Sequence, residues 1–399
     1  MRVILLTHVF PRAADDPLGA FLLHLAHGFG ERAQVFVIAP HAAGLLARET
    51  IDATPVARFR YADDAQETLA YTGIMHEQVA RGMHGKILFA RFVWAYFRAA
   101  MNAVRTHNAH MIHAQWWLPG GFVGALVSKF TNTPLVITTH GTDVEQLRRT
   151  RWAKHLARFA FGQARVITCG SNYLRAQLLE LGVVDENRVR VMPMPVNPLF
   201  KDSSRRRRSL TPSENRKTRF EILTVARLTQ QKSMDTLIDA LAILRARGLD
   251  ARLQIVGDGA QRAALQEQTR MKNLEACVEF LGMCPHNELP KLYAECDVFV
   301  LPSVREGMGL VLAEALLCGA PVIATNSGGV TDIVREGETG LLFPERDANA
   351  LAEALEIYAR DPEYAARLAE NGRAFVSERF TPARVAAQFL QTYETVVRK

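Results

Sequence analysis

Short apolar runs rich in Val and Ile recur along the chain, separated by stretches long enough to form helices. In the first half they cover residues 2–8, 34–39, 111–114, 135–139, 166–169 and 189–192. In the second half they cover 220–226, 253–256, 278–281, 298–301, 322–324 and 341–343. Near-continuous apolar strands alternating with amphipathic helices predict parallel sheets covered on both faces. Six strands per half make one doubly wound unit per half, since one sheet of twelve would be unusual. After Thr381-Pro382, which suit a helix start, Val385, Phe389, Tyr393 and Val396 recur at helical spacing. The expected division is a first domain over 1–197, a polar connector over 198–219, a second domain over 220–376, and a final helix over 377–399 that packs back on the first domain.

The 399 residues are 48% hydrophobic and 22% charged, which excludes disorder as the main state. The most apolar helical stretch, 87–105, is broken by Arg91 and Arg98, so no membrane span is expected. The opening residues read as a buried strand rather than a signal peptide. The net charge of +7 is unevenly spread. Residues 1–197 carry 21 basic and 14 acidic side chains, 198–219 carry 8 and 2, and 220–399 carry 19 and 25. Such asymmetry suggests separate bodies with separate surfaces. Five cysteines, none spaced CxxC, indicate no complete disulfide framework and fit a reducing cytoplasm.

Four features stand at predicted strand ends, where open α/β sheets bind ligands. Gly19 leads from the first strand into a helix, where backbone amides can approach an anion. Val256-Gly257-Asp258-Gly259 follows another strand but is too short for a dinucleotide fingerprint. Arg227 and Lys232, after the strand at 220–226, suit a diphosphate as fork and point charge. Glu306 precedes Gly307, Met308 and Gly309 at a helix start, and Glu314 lies eight residues on, a spacing of about two turns. Each feature alone also has a plain structural reading as a cap, a tight turn or a solvated charge.

Together these residues resemble the retaining glycosyltransferases of family four, which have the GT-B fold of two Rossmann-like domains facing across a cleft. Arg227 and Lys232 match its R-x4-K motif, residues 256–259 its VGDG turn, and Glu306 with Glu314 its E-x7-E motif. Gly282 lies in a matching Phe-Leu-Gly segment, and Thr139-His140-Gly141-Thr142-Asp143 matches a strand end of the first domain. The resemblance implies a hexosyltransferase that moves a sugar from a UDP- or GDP-sugar to a hydroxyl acceptor with no further cofactor, and the lack of an Asp-x-Asp motif, with two cations in the metal's place, predicts metal-independent catalysis. Arg227 and Lys232 would hold the diphosphate, Glu314 the ribose, and Glu306 the donor sugar. Gly19, Gly257, Gly282, Gly307, Met308, Gly309 and Leu310 would line the donor. His140 would sit beside the reacting sugar, while Asp143 orders its loop. The family usually has Phe where Met308 stands, which touches the choice of donor and not the reaction class.

Rival readings are a phosphorylase or nucleotide-sugar epimerase on the same fold, or a non-catalytic module for anionic surfaces. No nucleic-acid motif accompanies the charge. Trp116 and Trp117 could wall an acceptor or pack a core. Two segments are candidates for an anionic membrane face of an otherwise cytoplasmic protein: Arg205–Arg208 in the connector, and the basic, aromatic stretch 81–105. The second also reads as a core helix covering the first sheet.

Overall fold

The computed structural model describes residues 1–71, 75–80, 82–150, 153–202 and 219–398. Arg205–Arg208 and most of the expected connector lie outside them. Two compact units result, Met1–Pro195 with Pro382–Lys399, and Val196–Thr381.

The first unit is built on an eight-stranded sheet. Its strands are β1 (Arg2–Leu6), β2 (Gln34–Pro40), β3 (Arg48–Ile51), β4 (Thr54–Phe59), β5 (Met111–Gln115), β6 (Leu135–Thr139), β7 (Val166–Cys169) and β8 (Val189–Val191). Their order is β3-β4-β2-β1-β5-β6-β7-β8. All neighbours are parallel except β3 and β4. That antiparallel pair is absent from the strand pattern read above. β3 is largely solvent-facing up to Ile51, β4 alternates buried and part-buried residues, and the pair turns through Asp52 and Ala53, both at positive φ (44° and 63°), without the usual Asn-Gly signal.

Helices cover both faces because the strands are apolar on both. On one face lie Met83–Thr106, Phe122–Thr131 and Ala153–Gln163, whose Leu88, Phe92, Tyr96, Val123 and Phe161 join the core. On the other lie Ala20–Gly28 and the last helix, Pro382–Val397. Phe389 and Tyr393 of that helix are fully buried, with rings 5.2 and 5.6 Å from that of His113.

The second unit carries β9 (Phe220–Val225), β10 (Ala251–Val256), β11 (Val278–Gly282), β12 (Val298–Leu301), β13 (Val322–Thr325) and β14 (Leu341–Phe343), in the order β11-β10-β9-β12-β13-β14. Every pair is parallel. Phe200, expected in the polar connector, is instead fully buried in this unit's core beside Tyr293. One large ring in a polar segment is invisible to a composition argument.

Both sheets reverse their strand order once, between β1 and β5 and between β9 and β12. A crevice opens at such a point beyond the carboxyl ends of the strands. The candidate residues should therefore gather on the loops after those strands.

Replacing Phe389 by Ala should destabilise the first unit by ~3–5 kcal/mol, as for a fully buried aromatic ring. Urea unfolding followed by circular dichroism measures this; a cost under about 1 kcal/mol would contradict the packing described.

Candidate functional site

In the second unit, three loops at the strand ends are tied to one another. The loop after β9 ends in a short turn, Gln230–Lys232. Val304 donates its amide to the Gln231 carbonyl at 2.8 Å, and the Gln231 side chain donates to the Arg305 carbonyl at 3.2 Å. Lys232 is ion-paired and hydrogen-bonded to Glu306. The Glu306 carbonyl accepts from the Gly329 amide at 2.7 Å, which adds the loop after β13. Arg305 donates its amide to the Ser327 hydroxyl at 3.1 Å. Arg227 stands exposed just beyond β9.

Burial opposes the charge of Glu306, but Lys232 and the Gly307 amide outweigh it and hold the carboxyl below its ordinary value. The helix Leu310–Leu317 begins after Gly309, which sits at φ 79°. Glu306 therefore lies on the loop before the helix. The eight-residue spacing to Glu314 is not two turns of one helix, as the sequence suggested. Glu314 is 9% exposed, accepts from the Tyr293 hydroxyl at 3.3 Å, and lies 3.6 Å from the imidazole of His286.

The glycines at the ends of β10 and β11 serve close approach. Gly257 donates its amide to the Gly282 carbonyl at 2.7 Å, while Leu228 donates to the Asp258 carbonyl at 2.9 Å. A Cβ on Gly257, which has φ 127°, would stand 1.9 Å from the Ala226 carbonyl oxygen. Only glycine fits there. Met308 and Leu310 are half-buried beside Gly309.

In the first unit, the ends of β1, β5 and β6 bring His8, Trp116 and His140 together. The Trp116 ring lies 4.5 Å from that of His8 and 4.3 Å from that of His140, and Phe21 lies 5.2 Å from His140. Trp116 itself takes φ 59°, a strained backbone for a bulky residue. Gly19 starts the helix Ala20–Gly28 at φ 78°, and a Cβ there would meet the Val9 carbonyl oxygen at 2.9 Å. Buried Arg58 steadies the same loop by donating to the Pro11 carbonyl at 2.7 Å.

Asp143 is a loop-orderer. One carboxylate oxygen accepts the amides of His140, Gly141 and Val144, and the other accepts that of Trp117. Burial pushes its carboxyl up, and the amide donors pull it back. Trp117 is 2% exposed and donates its indole N–H to the Asp143 carbonyl at 2.9 Å. It packs the core and walls no acceptor; of the tryptophan pair, Trp116 alone remains partly exposed.

Behind His140 runs a buried polar chain that the motifs did not indicate. His140 Nε2 donates to the Gln115 side-chain oxygen at 2.7 Å, and Gln115 donates to His113 Nε2 at 3.0 Å. Thr138 lies 2.6 Å from the same nitrogen, and His113 Nδ1 meets the Tyr393 hydroxyl at 2.6 Å. With these protons assigned from the network, both imidazoles are neutral. His8 was also missed; its Nδ1 is buried without a hydrogen-bond partner. The signal was its place at a strand end.

Among the described residues one trio of potential metal donors converges, His41, Asp64 and Glu67. Its atoms are already engaged. His41 bonds Glu67 and the Leu45 carbonyl, Glu67 accepts the Tyr61 amide at 3.0 Å, and Asp64 pairs with Arg60. The donors fit a structural hydrogen-bonded group better than a metal centre.

Comparison with known proteins gives this geometry its context. Residues 18–199 match the model of Glycosyltransferase Family 4, and residues 206–375 that of Glycosyl transferases group 1. The D-inositol 3-phosphate glycosyltransferase of Pseudarthrobacter chlorophenolicus is 30% identical over 309 residues, covering 72% of this chain and 71% of that one. Among solved structures, sucrose-phosphate synthase from Thermosynechococcus elongatus superposes with a TM-score of 0.78 at 24% identity, covering 100% and 99% of the two chains. Anabaena HepE in complex with UDP-glucose gives 0.70 at 23%, covering 99% and 100%. The chain belongs to the GT-B glycosyltransferases, enzymes that move a sugar from a nucleoside-diphosphate donor to an acceptor.

Burial lowers the pKa of His8 to about 4 and those of His113 and His140 to about 3, with His113 and His8 adding to the effect on His140. Below about pH 6.5 an unfolded chain takes up these protons and the folded unit does not. The unfolded state then binds more protons, so stability falls as pH drops. The urea midpoint of the first unit should be level above about pH 7 and decline from about 6.5 toward 4. A level midpoint down to pH ~5 would contradict the buried neutral state. Tyr393→Phe should cost ~1–3 kcal/mol at neutral pH, because it strands a buried imidazole nitrogen.

Proposed function

We propose that the protein is a retaining, metal-independent hexosyltransferase that uses a UDP- or GDP-sugar and a hydroxyl acceptor. The observation that carries this reading is the Lys232–Glu306 pair, which joins the loops after β9 and β12 at the point where the strand order reverses. A cation and a carboxylate held together there suit the two ends of a sugar diphosphate.

The donor diphosphate would engage Lys232 and Arg227. Arg227, exposed and on a short loop, can reach phosphate at little desolvation cost. The amides at the start of the helix Leu310–Leu317 add a positive dipole end for the same anion. Glu306, kept ionised by Lys232, accepts hydrogen bonds from donor-sugar hydroxyls, and buried Glu314 accepts them from the ribose. Within the second unit, Gly257, Gly282, Gly307, Met308, Gly309 and Leu310 would line the donor, while Gly19 of the first unit offers a helix start to an anion. His140, neutral and anchored by Gln115, serves the sugar.

In the reaction the bond from the anomeric carbon to the β-phosphate oxygen breaks. A bond from the acceptor oxygen forms on the same face, and the acceptor proton passes to the leaving phosphate. Charge builds on that phosphate, where Lys232 and Arg227 would stabilise it electrostatically. No Asp-x-Asp motif is present in the sequence, and the two cations take the part a divalent ion would otherwise play.

Lys232→Ala or Arg227→Ala should each lower kcat/KM by at least ~10², as for loss of a charged transition-state contact. Activity should survive excess EDTA, and product NMR should show the donor's anomeric configuration. Wild-type rates in both variants would remove the diphosphate assignment, and an absolute need for Mg²⁺ or Mn²⁺ would remove metal independence.

A further inference from the structure

The helix Met83–Thr106 covers the first sheet with Leu88, Phe92, Tyr96, Ala100 and Val104, yet its outer side mixes cations with large apolar residues. Ile87 is 55% exposed and Trp94 61%, and Phe130 on the helix Phe122–Thr131 is 68% exposed. The rings form a continuous group, with Trp94 stacked on Phe97 at 5.9 Å and Phe97 edge-on to Phe130 at 6.0 Å. Between these helices and Ala153–Gln163 lies an open groove of about 770 Å³. Of its lining residues only Lys86, at the rim, is charged. Buried aromatic surface needs no explanation, but a contiguous exposed apolar patch marks an interaction site.

The charge around the patch says what covers it. From Gln78 to Thr142 the sequence has no Asp or Glu, while it carries Arg81, Lys86, Arg91, Arg98, Arg105 and Lys129. Lys86, Arg91, Arg98, Arg105 and Lys129 are exposed. A second copy of the chain would bring like charges face to face, which costs rather than binds. A soluble apolar ligand would leave the cations unused. An anionic lipid surface satisfies both features, since cations meet headgroups while Trp and Phe enter the acyl boundary.

We infer that this face of the first unit docks on an anionic bilayer, with Trp94 and Phe130 inserted and the groove accepting an acyl chain. The inference is independent of the transfer chemistry proposed above. No helix among the described residues is long and apolar enough to cross a membrane, so the docking is peripheral. Each cation near the surface contributes about fivefold in partition.

Flotation with phosphatidylcholine vesicles, with or without phosphatidylglycerol, tests it without nucleotide. The wild-type protein should float with the anionic vesicles at low salt and much less with the neutral ones. Lys86→Gln/Arg91→Gln/Arg98→Gln should weaken binding about a hundredfold. Trp94→Ser/Phe130→Ser should weaken it at least tenfold, with circular dichroism and UDP thermal shift unchanged because both rings are exposed. Absence of wild-type flotation at low salt overturns the inference, as does wild-type flotation by either variant. A dimer in solution that Trp94→Ser/Phe130→Ser dissolves, without vesicle binding, assigns the face to a second copy and overturns it too.

Discussion

A buried imidazole must have partners, and that requirement organises the first unit. His113 lies in the middle of β5 with no exposure, between sheet and helix. Its two nitrogens are served by Tyr393 on one side and by Thr138 and Gln115 on the other. Tyr393 is 280 residues away in sequence. The chain's last helix therefore brings more than apolar cover, since without its hydroxyl a polar atom in the core would lose its bond at a cost of roughly 1–3 kcal/mol. The same chain of bonds ends at His140, so packing at the helix and orientation at the strand end are one problem. A network of this kind is worth most when every member is satisfied.

The second unit solves a different problem. Its strand-end loops carry charged residues that must stay in place without a regular element to hold them. Backbone bonds from Val304, Gly329 and Leu228 do most of that, with glycine wherever two backbones approach too closely for a Cβ. The β9, β12 and β13 loops form one stitched group, and the β9, β10 and β11 loops another. Both groups share the loop after β9, so Arg227 and Lys232 lie on a segment tied to its neighbours on both sides.

The repeated sheets were legible because buried parallel strands are apolar on both faces, so β5, β6 and β12 announce themselves. Strands β3 and β4 were not, because both are short and interrupt their apolar residues with polar ones such as Glu49, Thr54 and Arg58. Phe200 and Trp117 escaped because one side chain's burial depends on what packs over it. Among the candidate residues, the cations, carboxylates and glycines could be named from their places at strand ends. The Lys232–Glu306 contact could not, since 74 residues separate its partners and only the adjacency of β9 and β12 unites them. Gln115 and Tyr393 were less legible still, because nothing in a strand or an amphipathic helix marks which inward polar atom will find a partner.

That Lys232–Glu306 pair also bears on how the proposed donor would be received. Both side chains are mostly buried, 18% and 16% exposed. Either charge alone would suffer the cost of leaving water without compensation, so the pair protects the loops in the absence of phosphate. A diphosphate brings stronger charge to the same lysine and competes with the carboxylate for it. Glu306, once it shares Lys232, would need new donors, and in the proposed complex sugar hydroxyls would supply them. A nucleoside diphosphate without its sugar would draw on the lysine yet leave Glu306 poorly served. On the proposed assignment, the arrangement would favour the intact donor over the spent nucleotide, with two side chains already in place.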